Sequence, residues 1–80
     1  MNVAQNMLKF GYANNLLTVV QSSPAMVRVQ VFDMSGQEVI AFYEQVAGSK
    51  GFSLASLERG NYMVRVSSKT QTRSARIVVK

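Results

Sequence analysis

The side chains able to do chemistry in this chain are few, and none stands where a catalyst needs it. The four carboxylates, Asp33, Glu38, Glu44 and Glu58, are spread singly along 80 residues, so no pair is spaced for acid–base work or for holding a metal. Histidine and cysteine are absent, which removes the commonest general base, the commonest transition-metal ligand and any thiol nucleophile. Serines are numerous, but no histidine activates them and no nucleophile-elbow pattern is present. Gly48-Ser49-Lys50-Gly51 looks like a fragment of a phosphate loop; it lacks the full spacing and the strand–loop–helix context, and reads as a connection. Asp33, at the head of Asp33-Met34-Ser35-Gly36, reads as structural, its carboxylate bonding the backbone of a turn that Gly36 closes. No enzymatic activity, cofactor or metal is expected.

Charge is the next signal. Nine basic residues against four acidic ones give a net charge of +5, which favours solubility and attracts anionic partners without bearing on fold. Arg28, Arg65, Arg73, Arg76 and Lys80 lie on or beside strand-like runs. Single-strand nucleic-acid binders interleave such cations with aromatic side chains, whereas here Tyr62 reads as core and the neighbours of the arginines are Met63 and Val78. A solvated basic face is the first reading, a docking surface for an anionic partner the second, and nucleic acid a distant third; no nucleic-acid partner is expected.

These residues must be positioned by strands. Short, β-branched runs separated by turn residues cover 3–10, 15–21, 26–32, 37–44, 50–54, 61–69 and 72–79, and no window carries a helical period. Pro24 marks a break between the second and third runs, and Ala47-Gly48-Ser49-Lys50-Gly51 a looser connection. Seven such runs in 80 residues predict an all-β, immunoglobulin-like β-sandwich of about seven short strands in a single domain, residues 1–80. Residues 1–14 read either as the first strand or as a linker to a further domain, with 3–10 an edge strand tied on through Gly11-Tyr12-Ala13-Asn14-Asn15. An exposed edge of that kind invites a homodimer through the N-terminal strand. The N-terminus has no basic or apolar region of a signal peptide, and no apolar run is long enough to span a membrane. Action outside the cytoplasm therefore requires an export signal on a larger precursor.

Leu57-Glu58-Arg59-Gly60-Asn61-Tyr62-Met63-Val64-Arg65-Val66 is the most constrained stretch. A leucine, a glycine and a tyrosine at this spacing turn the corner of a sandwich, with the tyrosine hydroxyl bonded to backbone at 57–60. Alternation puts Tyr62, Val64 and Val66 on one face and Met63 and Arg65 on the other. A two-residue turn at Thr70-Gln71 would set Val66 against Ala75, Val64 against Ile77 and Tyr62 against Val79, all facing the core. The same register sets Arg65 against Arg76, with Glu38 and Glu44 as candidate partners, and Met63 against Val78. The last two form either a contact surface or, slightly favoured, a patch covered by another strand or by the N-terminal segment.

With these residues in view, the chain resembles the C-terminal sorting domain of type IX secretion (Por secretion) cargo proteins of Bacteroidetes, over residues 16–80. The resemblance is carried by Val29-Gln30-Val31-Phe32-Asp33-Met34-Ser35-Gly36, by the leucine–glycine–tyrosine stretch with its Val64 and Val66, and by the short final strand Arg76-Ile77-Val78-Val79-Lys80. Many members begin Tyr-Pro-Asn-Pro where this chain has Tyr12-Ala13-Asn14-Asn15. The resemblance implies a non-catalytic secretion signal that directs an attached cargo from the periplasm through the outer-membrane translocon to the cell surface or medium. It implies translocon and outer-membrane shuttle components as partners, and a sortase-like signal peptidase that removes the domain. The sorting motif is then Asp33, Gly36, Gly60, Tyr62, Val64, Val66, Val79 and Lys80, with a docking face at Arg65, Arg76, Met63 and Val78. The rival is a fibronectin-like accessory module binding carbohydrate or protein; a carbohydrate binder would show a platform of exposed aromatics.

Overall fold

The computed structural model describes residues 8–80, apart from the side chain of Ser23. Its regular structure is five strands: β1 (Leu8–Ala13), β2 (Leu16–Phe32), β3 (Glu38–Ser53), β4 (Gly60–Ser67) and β5 (Thr72–Val79). All pairings are antiparallel. β3 runs along one side of β2; β1 and β4 share the other side, β1 beside its first half and β4 beside its second; β5 lies outside β4.

The all-β expectation holds, but the seven-stranded sandwich gives way to one antiparallel sheet curled into a nearly closed, barrel-like form. The reason lies at Pro24 and Gly48. The ladder passes from Gln21 opposite Gly48 to Ala25 opposite Val46, so Ser22, Ser23 and Pro24 share one partner position. Proline, which lacks a donor, fits where the ladder is already interrupted, and Gly48 takes a φ of 87° beside it. The expected breaks are therefore bends: runs 15–21 and 26–32 join as β2, and 37–44 and 50–54 join as β3.

The bend is sharp. Phe42 and Phe52 belong to the same strand and would lie about 33 Å apart if it were straight; their ring centroids are 4.9 Å apart. Glu44 and Lys50 reach across the same bend in an ion pair of 3.2 Å. Folding the β2–β3 hairpin back on itself brings β1 against β5, and the Leu8 N–H donates to the Gln71 side-chain oxygen at 3.2 Å.

Leu8, Leu17, Val19, Val27, Val29, Val31, Val46, Phe52 and Leu54 from the doubled hairpin and its flanks meet Tyr62, Val64, Val66, Ile77 and Val79 in one core. Each such aliphatic side chain, fully buried, contributes roughly 1.5–3 kcal/mol, and with no disulfide to assist this cluster is what holds so small a domain together.

The first hairpin differs from expectation. Gly11, Tyr12 and Ala13 belong to β1, and the turn is Asn14-Asn15, with φ values of 52° and 65°. Two left-handed residues make the tight turn whose twist suits a hairpin, and asparagine tolerates that conformation. Proline, locked near −65°, could not occupy position 15 here. Residues 3–7 of the expected edge strand lie outside the described residues.

Candidate sorting surface

The residues singled out from the sequence divide into those that build the fold and those left at its surface. Asp33 and Gly36 form the β2–β3 turn. The Asp33 carboxylate accepts from the Ser35 hydroxyl at 2.6 Å, the Ser35 N–H at 2.9 Å and the Gln37 N–H at 3.0 Å. The Gly36 N–H donates to the Asp33 carbonyl at 3.0 Å, with Gly36 at a φ of 90°. The Ser35 hydroxyl foremost, then the backbone N–H of Gln37, hold the Asp33 carboxyl below its usual range.

The corner is also built as expected. The Tyr62 hydroxyl donates to the Glu58 carbonyl at 2.7 Å, the Leu57 N–H to the Leu54 carbonyl at 3.1 Å, and Gly60 opens β4 with a φ of 151°, a region side-chain-bearing residues avoid. Tyr62, Val64, Val66 and Val79 are buried. They act by holding the fold together. Of the sorting motif, Gly36 and Lys80 are exposed, and Lys80 with Val78 borders a concavity of about 410 Å³ shared with Tyr12, Asn14 and Asn15 of the first hairpin.

The docking face requires corrections. Ser68-Lys69-Thr70-Gln71 forms a four-residue connection, closed by the Ser68 N–H on the Gln71 carbonyl at 2.8 Å, so the β4–β5 register is two residues from the expected one. Val66 faces Arg73, Val64 faces Ala75, Tyr62 faces Ile77 and Gly60 faces Val79. A shift of two preserves which face each residue points to, which is why the apolar match alone looks satisfactory. Ala75 nevertheless stays exposed, because β5 is a sheet edge that β1 only partly covers. Arg65 lies opposite Ser74 and Arg76 opposite Met63, so the two arginines are diagonal neighbours and their expected confrontation is relieved. Glu38 and Glu44 do not partner them: the Gln30 amide donates to Glu38 at 2.9 Å, and Glu44 pairs with Lys50. Met63 lies opposite Arg76 and Val78 opposite Asn61; at 36% and 49% exposure, neither is covered by the described residues.

Residue types alone do not reveal the aromatic component of this face. Arg28 stacks over Tyr43 and Arg65 over Phe32, each 5.5 Å from the ring centroid. Arg28 and Tyr43 are direct cross-strand partners. The β2–β3 turn points to that pairing, but a bulge at Val39, between the pairs Val31–Ile40 and Phe32–Glu38, hides it from simple counting out from the turn.

No curated protein sequence matches the chain. The family model described as the secretion system C-terminal sorting domain matches residues 13–80, the span from the first hairpin turn to the final strand, with the Asp33 turn, the tyrosine corner and β5 all inside it. The chain therefore belongs to that family, the non-catalytic C-terminal domains that serve as secretion signals for type IX cargo proteins.

Proposed function

We propose that this domain is a folded address read at the end of the molecule where β5 finishes. The observation that carries the reading is the division of the sorting motif: Tyr62, Val64, Val66 and Val79 are buried in the core, the Asp33 carboxylate is taken up by its own turn, and Lys80, beside exposed Val78 and the Asn14-Asn15 turn, presents its side chain to solvent. In this reading the cargo reaches the periplasm on its own export signal. The domain then engages the outer-membrane translocon and its shuttle components, and a sortase-like peptidase removes it at the surface. Residues 1–80 act as one domain, and the first strand, which lies against β5 without a backbone ladder between the two, offers a route to a homodimer at high concentration by edge pairing or exchange.

The test is a reporter carrying an N-terminal export signal and fused to this chain, expressed in a host with type IX secretion. The intact fusion should reach the surface or medium. Removing Val79 and Lys80 should strand it in the periplasm, while the isolated truncated domain still folds, less stably for the loss of one buried valine. Lys80→Glu reverses the exposed charge without touching the core and should impair delivery with stability unchanged. Periplasmic retention of the intact fusion, with glycan or surface-protein binding by the isolated domain, would establish the accessory-module reading instead.

A further inference from the structure

A second concavity, about 630 Å³ in volume, lies where β4 passes into the β4–β5 connection, at the opposite end of β4 from Gly60 and its partner Val79. Pro24 and Met26 of β2, Arg28, Tyr43 of β3, and Ser68 and Lys69 of the connection line it. Three features set it apart from an ordinary groove between strands. Tyr43 is 62% exposed and Met26 is exposed too, so apolar surface is open on both strands of the hairpin. Arg28 is held over the Tyr43 ring at 5.5 Å, which orients its guanidinium. Finally, no carboxylate is among the lining residues; Glu38 and Glu44, the acidic residues of β3, are engaged by Gln30 and Lys50.

We propose that this groove docks an acidic, extended segment of a partner protein, with carboxylates on Arg28 and Lys69 and an apolar side chain seated between Met26 and Tyr43. Charge complementarity selects an acidic ligand, since the groove presents two cations and the chain carries +5 overall. The lining then selects polypeptide over other polyanions. Arginine, tyrosine and methionine are the residues enriched at protein–protein contacts, and the planar guanidinium matches a carboxylate in a two-point contact. A phosphorylated glycan would leave Met26 and Pro24 without a complementary surface. The inference rests on the reading of the domain as a docked signal and adds a place and a chemistry for one of its contacts, separate from the Lys80 end.

Titration of the purified chain against a short fluorescent peptide alternating glutamate and leucine, followed by anisotropy, tests it without any secretion step. Binding should weaken with added salt and vanish for the glutamine analogue of the peptide. Arg28→Glu and Lys69→Glu should each lower affinity about tenfold, equivalent to about 1.4 kcal/mol, with unfolding midpoints unchanged. Tyr43→Ser, which keeps the charge but removes the platform under Arg28, should lower it by a smaller factor. No binding by the intact chain, undiminished affinity in the Arg28→Glu and Lys69→Glu variants, or capture of lipopolysaccharide vesicles in place of the peptide would each overturn the proposal. Because the titration is done in vitro, its failure is separate from failure of the reporter fusion, which judges the sorting function alone.

Discussion

The two hairpins on either side of the tyrosine corner reach their registers by different means. In β2–β3 the turn carries its own instructions: the Asp33 carboxylate collects three donors and Gly36 takes the left-handed position, so the first pairs out of the turn are set locally. In β4–β5 the connection Ser68-Lys69-Thr70-Gln71 is closed by a single backbone hydrogen bond, from Ser68 to Gln71, and contains no glycine, proline or aspartate. Its register is decided by which side chains of β5 reach the core. Ile77 and Val79 do, and Ala75, on the same face, does not. Alternating apolar residues specify a face, because the side-chain period is two; they do not specify which of two even-numbered registers is used.

The largest effect should come from the side chain that anchors β5. Ile77→Ala removes a buried group and should cost roughly 2–4 kcal/mol, read as a lower denaturation midpoint, whereas Ala75→Ser should stay within about 0.5 kcal/mol. Equal effects at the two positions would mean that the register places Ala75 in the core after all. Next comes the corner that launches β4. Tyr62→Phe leaves the Glu58 carbonyl without its donor and should cost about 1–3 kcal/mol; an unchanged midpoint would show that the corner is held by packing alone.

A pH titration separates the hairpins further. The Asp33 carboxyl is held below its ordinary value of 3.8 in the folded chain, so the stabilisation it gives is fully present above that value and is lost as pH falls through the lower, folded one. Acid should therefore lower the midpoint of the parent chain more than that of Asp33→Asn in this range. The same slope in both would remove the carboxylate from the account of the turn. The smallest perturbation tests register itself. The chain has no cysteine, so Arg65→Cys with Ser74→Cys, directly opposite, should cross-link readily under mild oxidation, and Arg65→Cys with Arg76→Cys, a diagonal pair, should not. The reverse result would restore the register that a two-residue turn demands.

Much of the fold is legible from residue types because the controlling interactions are short-range. The Asp33–Gly36 turn and the Tyr62 corner each span a few residues, and the side chains that build them announce themselves by type and spacing. The inward stripe Tyr62, Val64 and Val66 follows from alternation alone, and the missing histidines, cysteines and paired carboxylates leave no catalytic arrangement to assemble. The sorting-family resemblance is legible for the same reason, since its motif residues are mostly those that make the turn, the corner and the core.

Tertiary structure decided what depends on distant partners. Pro24 and Gly48 end strands in a local reading, but the ladder on either side of them is continuous enough to absorb a bulge, so they bend β2 and β3 and turn a sandwich of separate strands into one curled sheet. Asn14-Asn15 reads as a flexible connection until its left-handed angles make it the turn of a hairpin. The positions of Arg65, Arg76, Met63 and Val78, and the stacking of Arg28 on Tyr43, depend on registers set by the competition of whole strands for the core. Composition can say that a face is basic. Which cations share it, and with which aromatic rings, is fixed only when strands far apart in the chain choose their partners.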